Sequence, residues 1–231
     1  MNVEKVFQSD HYMRHTQRRQ EHLATLGLPL DNKSVLEVGA GIGDHTSFFL
    51  DRGSKVITSD AKFENVAYME KRFKDNRDVS VRILFAGLND YGLRENPVQI
   101  VYCYGLLYHL EFPELALQNF ADYCSDFLLL ETQVSHFPYS DLQATSDSAI
   151  DPSGSVNNIG CLPSRAWVMN TLSKYFPYVY MVKSQPWHEE FPLNWVKPSE
   201  NRISRAVFVA SKSEMDYSCL SPHVLDHHRR C

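Results

Sequence analysis

Glu37, Gly39, Gly41 and Gly43 form an E-x-G-x-G-x-G run behind the apolar residues Val35, Leu36 and Val38. Glycine at alternate positions keeps Cβ atoms out of the way, so a ligand can lie against the main chain with the following helix N-terminus facing it. Ala40 and His45 belong to the same candidate cradle. Asp60 follows 17 residues after Gly43, with Ala61 next. A carboxylate at a strand tip can accept hydrogen bonds from both hydroxyls of a ribose; its other reading is a loop or helix-capping Asp. Further on, Gly105 permits close approach beside Tyr104, and Tyr108-His109 follow. A histidine titrating near neutrality can take the proton of an alcohol, typically for roughly 10²- to 10⁴-fold in rate, so His109 is the candidate general base. Equally, His109 hydrogen-bonds the fold or shapes the pocket.

These residues need elements to hold them. Val35 to Val38 reads as a buried parallel strand, and His45 to Leu50 begins an amphipathic helix. Lys55 to Asp60 and Val81 to Phe85 read as the next strands, with a returning helix over Asn65 to Lys74 between them. A strand runs from Val98 to about Tyr104, and Pro113 opens a helix whose Leu117, Phe120, Ala121 and Cys124 face the core. Phe127 to Thr132, Tyr178 to Lys183 and Arg205 to Ala210 complete the strands, with a helix from Pro163-Ser164 carrying Val168, Leu172 and Phe176. The leading residues 1–27 hold a helix over Arg18 to Leu26, where Tyr12 and Arg18 are candidate substrate contacts and a solvated helix face is the alternative. Residues 133–161 are rich in Ser, Asp, Asn, Pro and Gly, which marks a substrate lid. Trp187, in a polar connection, either walls a pocket or pins its loop. The tail from 211 to 231 lacks apolar periodicity and is expected to be mobile.

The 231 residues fit one domain over 1–210 plus that tail. With 43% hydrophobic residues the chain can fill a core, and its charge of −5 argues against a chain-wide nucleic-acid surface. No apolar run reaches the roughly 20 residues that span a bilayer, and the start lacks signal-peptide character, so a cytoplasmic protein is expected. The five cysteines are scattered and never in C-x-x-C spacing, which points to free thiols and no metal.

The glycine turn, the strand-tip Asp60 and Leu107-Tyr108-His109 together resemble a class I S-adenosylmethionine (SAM) methyltransferase. The resemblance implies an α/β, Rossmann-like sheet of seven strands with helices on both faces and the last strand antiparallel. It also implies SAM as cofactor and S-adenosylhomocysteine as product. Leu88 stands where such enzymes often have an acid, so it packs on adenine while Asn89 makes a polar contact; both also read as turn residues. Gly43-Asp44-His45, Gly105 to His109, Leu130-Glu131-Thr132, Pro163-Ser164 and Ser204 to Val207 are similar to the group containing the tRNA wobble-uridine carboxymethyltransferases. That likeness implies that Tyr108 and Arg205 meet the extra carboxylate of carboxy-SAM, and Glu131 emerges at the same sheet edge. The leading segment lacks the lysine of that group, which favours ordinary SAM and a small-molecule acceptor, methylated at a hydroxyl oxygen. A tRNA-modifying enzyme and a non-catalytic SAM-binding domain are the alternatives. Oligomeric state is not encoded in any motif.

Overall fold

The computed structural model describes residues 3–86, 92–196 and 203–230. Two helices, α1 (Val3–Phe7) and α2 (Asp10–Thr25), lead into β1 (Ser34–Val38), α3 (Asp44–Leu50), β2 (Lys55–Asp60), α4 (Phe63–Arg72) and β3 (Val79–Ile83). Then come β4 (Val98–Tyr104), a 3₁₀ turn at Leu107–His109, α5 (Pro113–Tyr123), β5 (Cys124–Gln133), a hairpin of β6 (Leu142–Ser146) and β7 (Ile159–Pro163), and α6 (Arg165–Leu172). The chain finishes with β8 (Tyr178–Val182), β9 (Ser184–Gln185), β10 (Arg205–Ser211), β11 (Leu220–Ser221) and β12 (Arg229–Arg230).

The main sheet runs β3-β2-β1-β4-β5-β10-β8-β11. Strands β3 to β5 are parallel, whereas β10 is antiparallel to both β5 and β8. This is the expected mixed α/β architecture, with β11 added as an eighth, edge strand. Alternation along β1 explains the burial. Leu36 and Val38 enter one apolar cluster with Leu117, Phe120 and Val168, while Val35 enters the other with Leu23 and Phe49. Both faces are covered, so the strand has no polar side.

Three boundaries differ from the sequence reading for local reasons. Helix α2 starts at Asp10, well before Arg18, because Ser9 caps it by accepting the Tyr12 N–H at 3.4 Å. Strand β3 begins two residues earlier than expected, and Cys124 starts β5 instead of ending α5. In place of the expected mobile tail, Leu220 and Ser221 pair with β8, Arg229 and Arg230 pair with β9, and Cys219 and Leu220 are buried.

The presumed lid has its own structure. Hairpin β6–β7 projects from the sheet edge, and its tip is tied to α4: Lys62 Nζ donates to Ala149 O at 3.1 Å and to Asp151 O, and Asn65 Nδ2 donates to Pro152 O at 3.0 Å. No helix among the described residues is long and apolar enough to cross a membrane.

Candidate active site

The glycine turn leaves β1 and caps α3. Gly39, Gly41 and Gly43 have φ of 72°, 59° and 79°, a region that L side chains rarely adopt. Space is short as well: a Cβ on Gly39 would lie 2.9 Å from Leu106, and one on Gly41 would lie 2.6 Å from Phe7. Glu37 sits beneath this turn, accepting from Thr46 and Thr58. Burial pushes its carboxyl up to about 7, against those hydrogen bonds. Glu37 therefore braces the turn from below.

Asp60 closes the turn from the neighbouring strand. Its Oδ2 accepts the Gly41 N–H at 2.9 Å, and its Oδ1 accepts Lys62 N–H at 2.9 Å and Asn65 Nδ2 at 3.1 Å. Burial raises the Asp60 pKa, and the bonds from Lys62 and Gly41 oppose the rise. Three of about four acceptor positions on the carboxylate are thus occupied within the chain. Asp60 shapes the turn as much as it faces the crevice, so a ribose would meet the remaining acceptor position and the adjoining Ala61.

The crevice along the turn holds a cavity of about 70 Å³, lined by Gly39, Gly41, Asp60, Ala61, Tyr104 and Gly105 and roofed by Phe7 and residues 152–156. A smaller pocket beside it touches Glu37, Ala40, His45, Tyr102 and Tyr104. Within that pocket, His45 Nδ1 lies 2.8 Å from the Tyr102 hydroxyl, whereas His45 Nε2 and the Tyr104 hydroxyl are buried without a hydrogen-bond partner. Burial drives the His45 pKa well down, so the ring is neutral. Two orphaned polar atoms beside a glycine cradle fit a ligand with a polar end.

A second cavity, of about 410 Å³, opens on the other side of Gly105. Tyr12, Gly105, His109 and Ser153 line both cavities. His109 Nδ1 pairs with Asp147 Oδ2 at the foot of the hairpin tip. Burial raises the Asp147 pKa, but the His109 hydrogen bond and charge outweigh it, and the result is a lowered value. Asp147 is also held by the N–H groups of Ser148 at 2.7 Å and Ser155 at 3.0 Å.

Beneath the second cavity lies a buried ionic network. Arg205 donates from Nη1 to Glu131 Oε1 at 3.1 Å, from Nε to Glu190 Oε2 at 2.7 Å and from Nη2 to the Tyr108 hydroxyl at 3.0 Å. Glu131 Oε2 accepts from Arg19 Nη1 at 3.1 Å. Every side chain of this group is buried or nearly so, and two arginines face two glutamates, which keeps the wall neutral.

Against the expectations from sequence, the site gathers Glu37, Gly39, Ala40, Gly41, His45, Asp60, Ala61, Tyr104, Gly105, Tyr12, Tyr108, His109, Glu131 and Arg205 around the cavities, whereas Gly43 stands behind the turn as the N-cap of α3, facing Phe73. Two further candidates fall elsewhere. Arg18 points to solvent and pairs with Glu21 at 2.7 Å; the buried arginine of α2 is its neighbour Arg19, because the helix phase turns 19 inward. Trp187 is 60% exposed with Arg230 5.9 Å over its ring, so it walls neither cavity. Leu88 and Asn89 lie outside the described residues. Asp147 and His15 were missed in sequence: a lone Asp in a polar loop carries no spacing signal, whereas the His11/His15 spacing of four on one helix could have drawn notice to the second.

Residues 35–145 match the family model of a methyltransferase domain. The matched segment runs from β1 into β6 and so contains the glycine turn, Asp60 and His109. No curated protein sequence matches the chain. Solved structures of methyltransferases share the fold of this chain, its flanking elements included. The N-terminal domain of EvdMO1, in the presence of S-adenosylhomocysteine and D-fucose, superposes with a TM-score of 0.63 at 18% identity, covering 88% of this chain and 84% of that one. The 1,6-didemethyltoxoflavin-N1-methyltransferase of Burkholderia thailandensis, with its acceptor and S-adenosylhomocysteine bound, gives 0.58 at 18%, covering 89% and 82%. The glycopeptide N-methyltransferase MtfA gives 0.55 at 16%, covering 84% and 86%.

Proposed function

We propose that this methyltransferase transfers the methyl group of SAM to a hydroxyl oxygen of a small, uncharged, hydroxylated acceptor, with His109 as general base. SAM is the cofactor, and when bound it supplies an electrophilic sulfonium methyl group. Gly39, Ala40 and Gly41 would hold it through main chain, Asp60 and Ala61 at the ribose end, and His45 Nε2 with the Tyr104 hydroxyl at the amino-acid end, where both atoms lack partners.

One observation carries the reading: Gly105 and His109 belong to the walls of both cavities, so the base stands where donor and acceptor would meet. Asp147 orients the ring through Nδ1 and leaves Nε2 as the proton-accepting atom. Enclosure by Phe7 and residues 152–156 keeps water from the reacting groups, which favours a reaction in which charge disappears.

The acceptor class follows from the larger cavity. Its volume suits a small molecule, its wall mixes imidazoles, phenols, Gln133 and Thr145, and its two arginines are already neutralised. Such a wall selects by hydrogen bonds to hydroxyls and gives an ionised acceptor no surplus charge to meet. The same neutralisation speaks against carboxy-SAM and the tRNA reading, since Arg205 Nε, Nη1 and Nη2 already donate to Glu190, Glu131 and Tyr108. The test is a screen of neutral hydroxylated against carboxylated acceptors with S-adenosylhomocysteine release as readout, followed by His109→Ala and His109→Gln across pH. A fall in kcat of roughly 10²- to 10⁴-fold with loss of the acidic limb supports the assignment; full activity in His109→Gln refutes it.

A further inference from the structure

His11 and His15 stand four residues apart on α2, hence on one face of the helix. Both rings meet His188, which lies in the connection after β9, at centroid distances of 5.8 and 4.8 Å. His15 Nε2 is 3.5 Å from Glu190 Oε2, and His11 Nε2 is 3.7 Å from Glu190 Oε1. The ligand-capable atoms of His15, His188 and Glu190 all lie within 4.8 Å of one another. His15 and His188 are 6% and 2% exposed, and Nε2 of each is buried without a hydrogen-bond partner. Leaving such atoms unpaired is costly, and each has a carboxylate near it: Glu190 for His15 and, at 3.8 Å, Glu189 for His188.

We infer that His15, His188 and Glu190 bind a first-row divalent metal ion, Zn²⁺ in the first instance, with an exchangeable ligand in the fourth position. Imidazole nitrogens with one carboxylate suit zinc-like ions better than Mg²⁺ or Ca²⁺. Bonds of about 2.0–2.1 Å in a tetrahedron put neighbouring ligand atoms about 3.3 Å apart, close to the 3.5 Å separation of His15 and Glu190. Outer support is in place, because Arg205 holds Glu190 through both the carboxylate and the main-chain carbonyl, each at 2.7 Å. Ligation through Nε2 puts the His188 proton on Nδ1 and gives up a long 3.3 Å bond from the Glu190 N–H. The ion would clamp α2 to the loop at the rim of the larger cavity, whose wall includes His11, His15 and Glu190.

The experiment titrates the metal-stripped full chain with Zn²⁺ alone by calorimetry. One equivalent is expected, weakened by about 100-fold or more in His188→Ala and Glu190→Gln and unchanged in His223→Ala, which lies in the C-terminal segment. Equal affinity in wild type and a His15→Ala, His188→Ala double variant, or loss of binding in His223→Ala, overturns the site. Should the variants fail to fold, Co²⁺ added to wild type decides: an intense tetrahedral visible spectrum supports the site, and a weak octahedral one refutes it. Both readouts are made without SAM or acceptor, so failure here is distinguishable from failure of the methyltransferase reading.

Discussion

The imidazole of His109 is fixed from below by its 3₁₀ turn and from the side by Asp147, a residue carried on a different element. Replacing Asp147 with Asn removes the carboxylate that holds Nδ1 of the ring while keeping the shape. We expect Asp147→Asn to lower kcat by about 10- to 100-fold with little change in SAM affinity, read by steady-state kinetics and calorimetry. Glu37 makes a pH-dependent contribution of the opposite kind. Its pKa in the folded chain, about 7, lies above the unfolded value of 4.5, so the folded state holds the extra proton between these limits. Stability from this group is therefore lost as pH rises from about 4.5 through 7. Glu37→Gln should match wild type near pH 4.5 and exceed it by up to ~3 kcal/mol at pH 8 in urea denaturation.

At the scale of elements, the roof over the glycine turn has two independent parts. One is α1, whose Phe7 packs edge-on against Tyr12 at 4.8 Å and sits over Gly41. The other is the hairpin tip, pinned to α4 by Lys62 and Asn65. A nucleoside with an amino-acid tail would lie along the turn beneath both parts, so either can gate its entry. Phe7→Ala should speed SAM association in stopped-flow fluorescence, and an unchanged rate would assign the gating to the hairpin. Helix α6 shows how short signals fix such elements: Ser164 accepts the Trp167 N–H at 3.1 Å and sits beside the end of β7. Its replacement by Ala should cost about 1 kcal/mol of stability.

For the whole molecule, the C-terminal segment acts as an outer strap. Arg165 is buried at 2% exposure, donates to Leu225 O and stacks 4.2 Å over Trp195; burial lowers its pKa to about 10. Removing residues 217–231 would strip that acceptor, and the exposed sheet edge at β8 would lose its partner. We expect a loss of roughly 3–5 kcal/mol by chemical denaturation, because a buried charge is left uncompensated. Acid sensitivity has the same global origin. His22 and His228 are buried neutral with pKa values lowered to about 4 by desolvation, so their stabilising contribution is present above about 6.5 and fades as pH falls towards 4.

By itself the sequence determined the glycine turn, the acid on β2, the order of the parallel strands and the apolar face of α5, because each depends on residues close together in the chain. Helix phase was less legible: an arginine was expected at the site from the basic run of α2, yet Arg19 turns inward and Arg18 does not, a choice set by where the helix docks. The hairpin within the polar lid, the anchoring of the tail and the pairing of His109 with Asp147 were not readable at all. The last two join residues 38 or more positions apart through contacts without periodicity, such as Leu225 O on Arg165, and the hairpin pairs strands across a polar loop that has none either. Only the tertiary structure decided them, since the energy of a buried polar contact depends on the partner that packing brings to it and not on its neighbours in the chain.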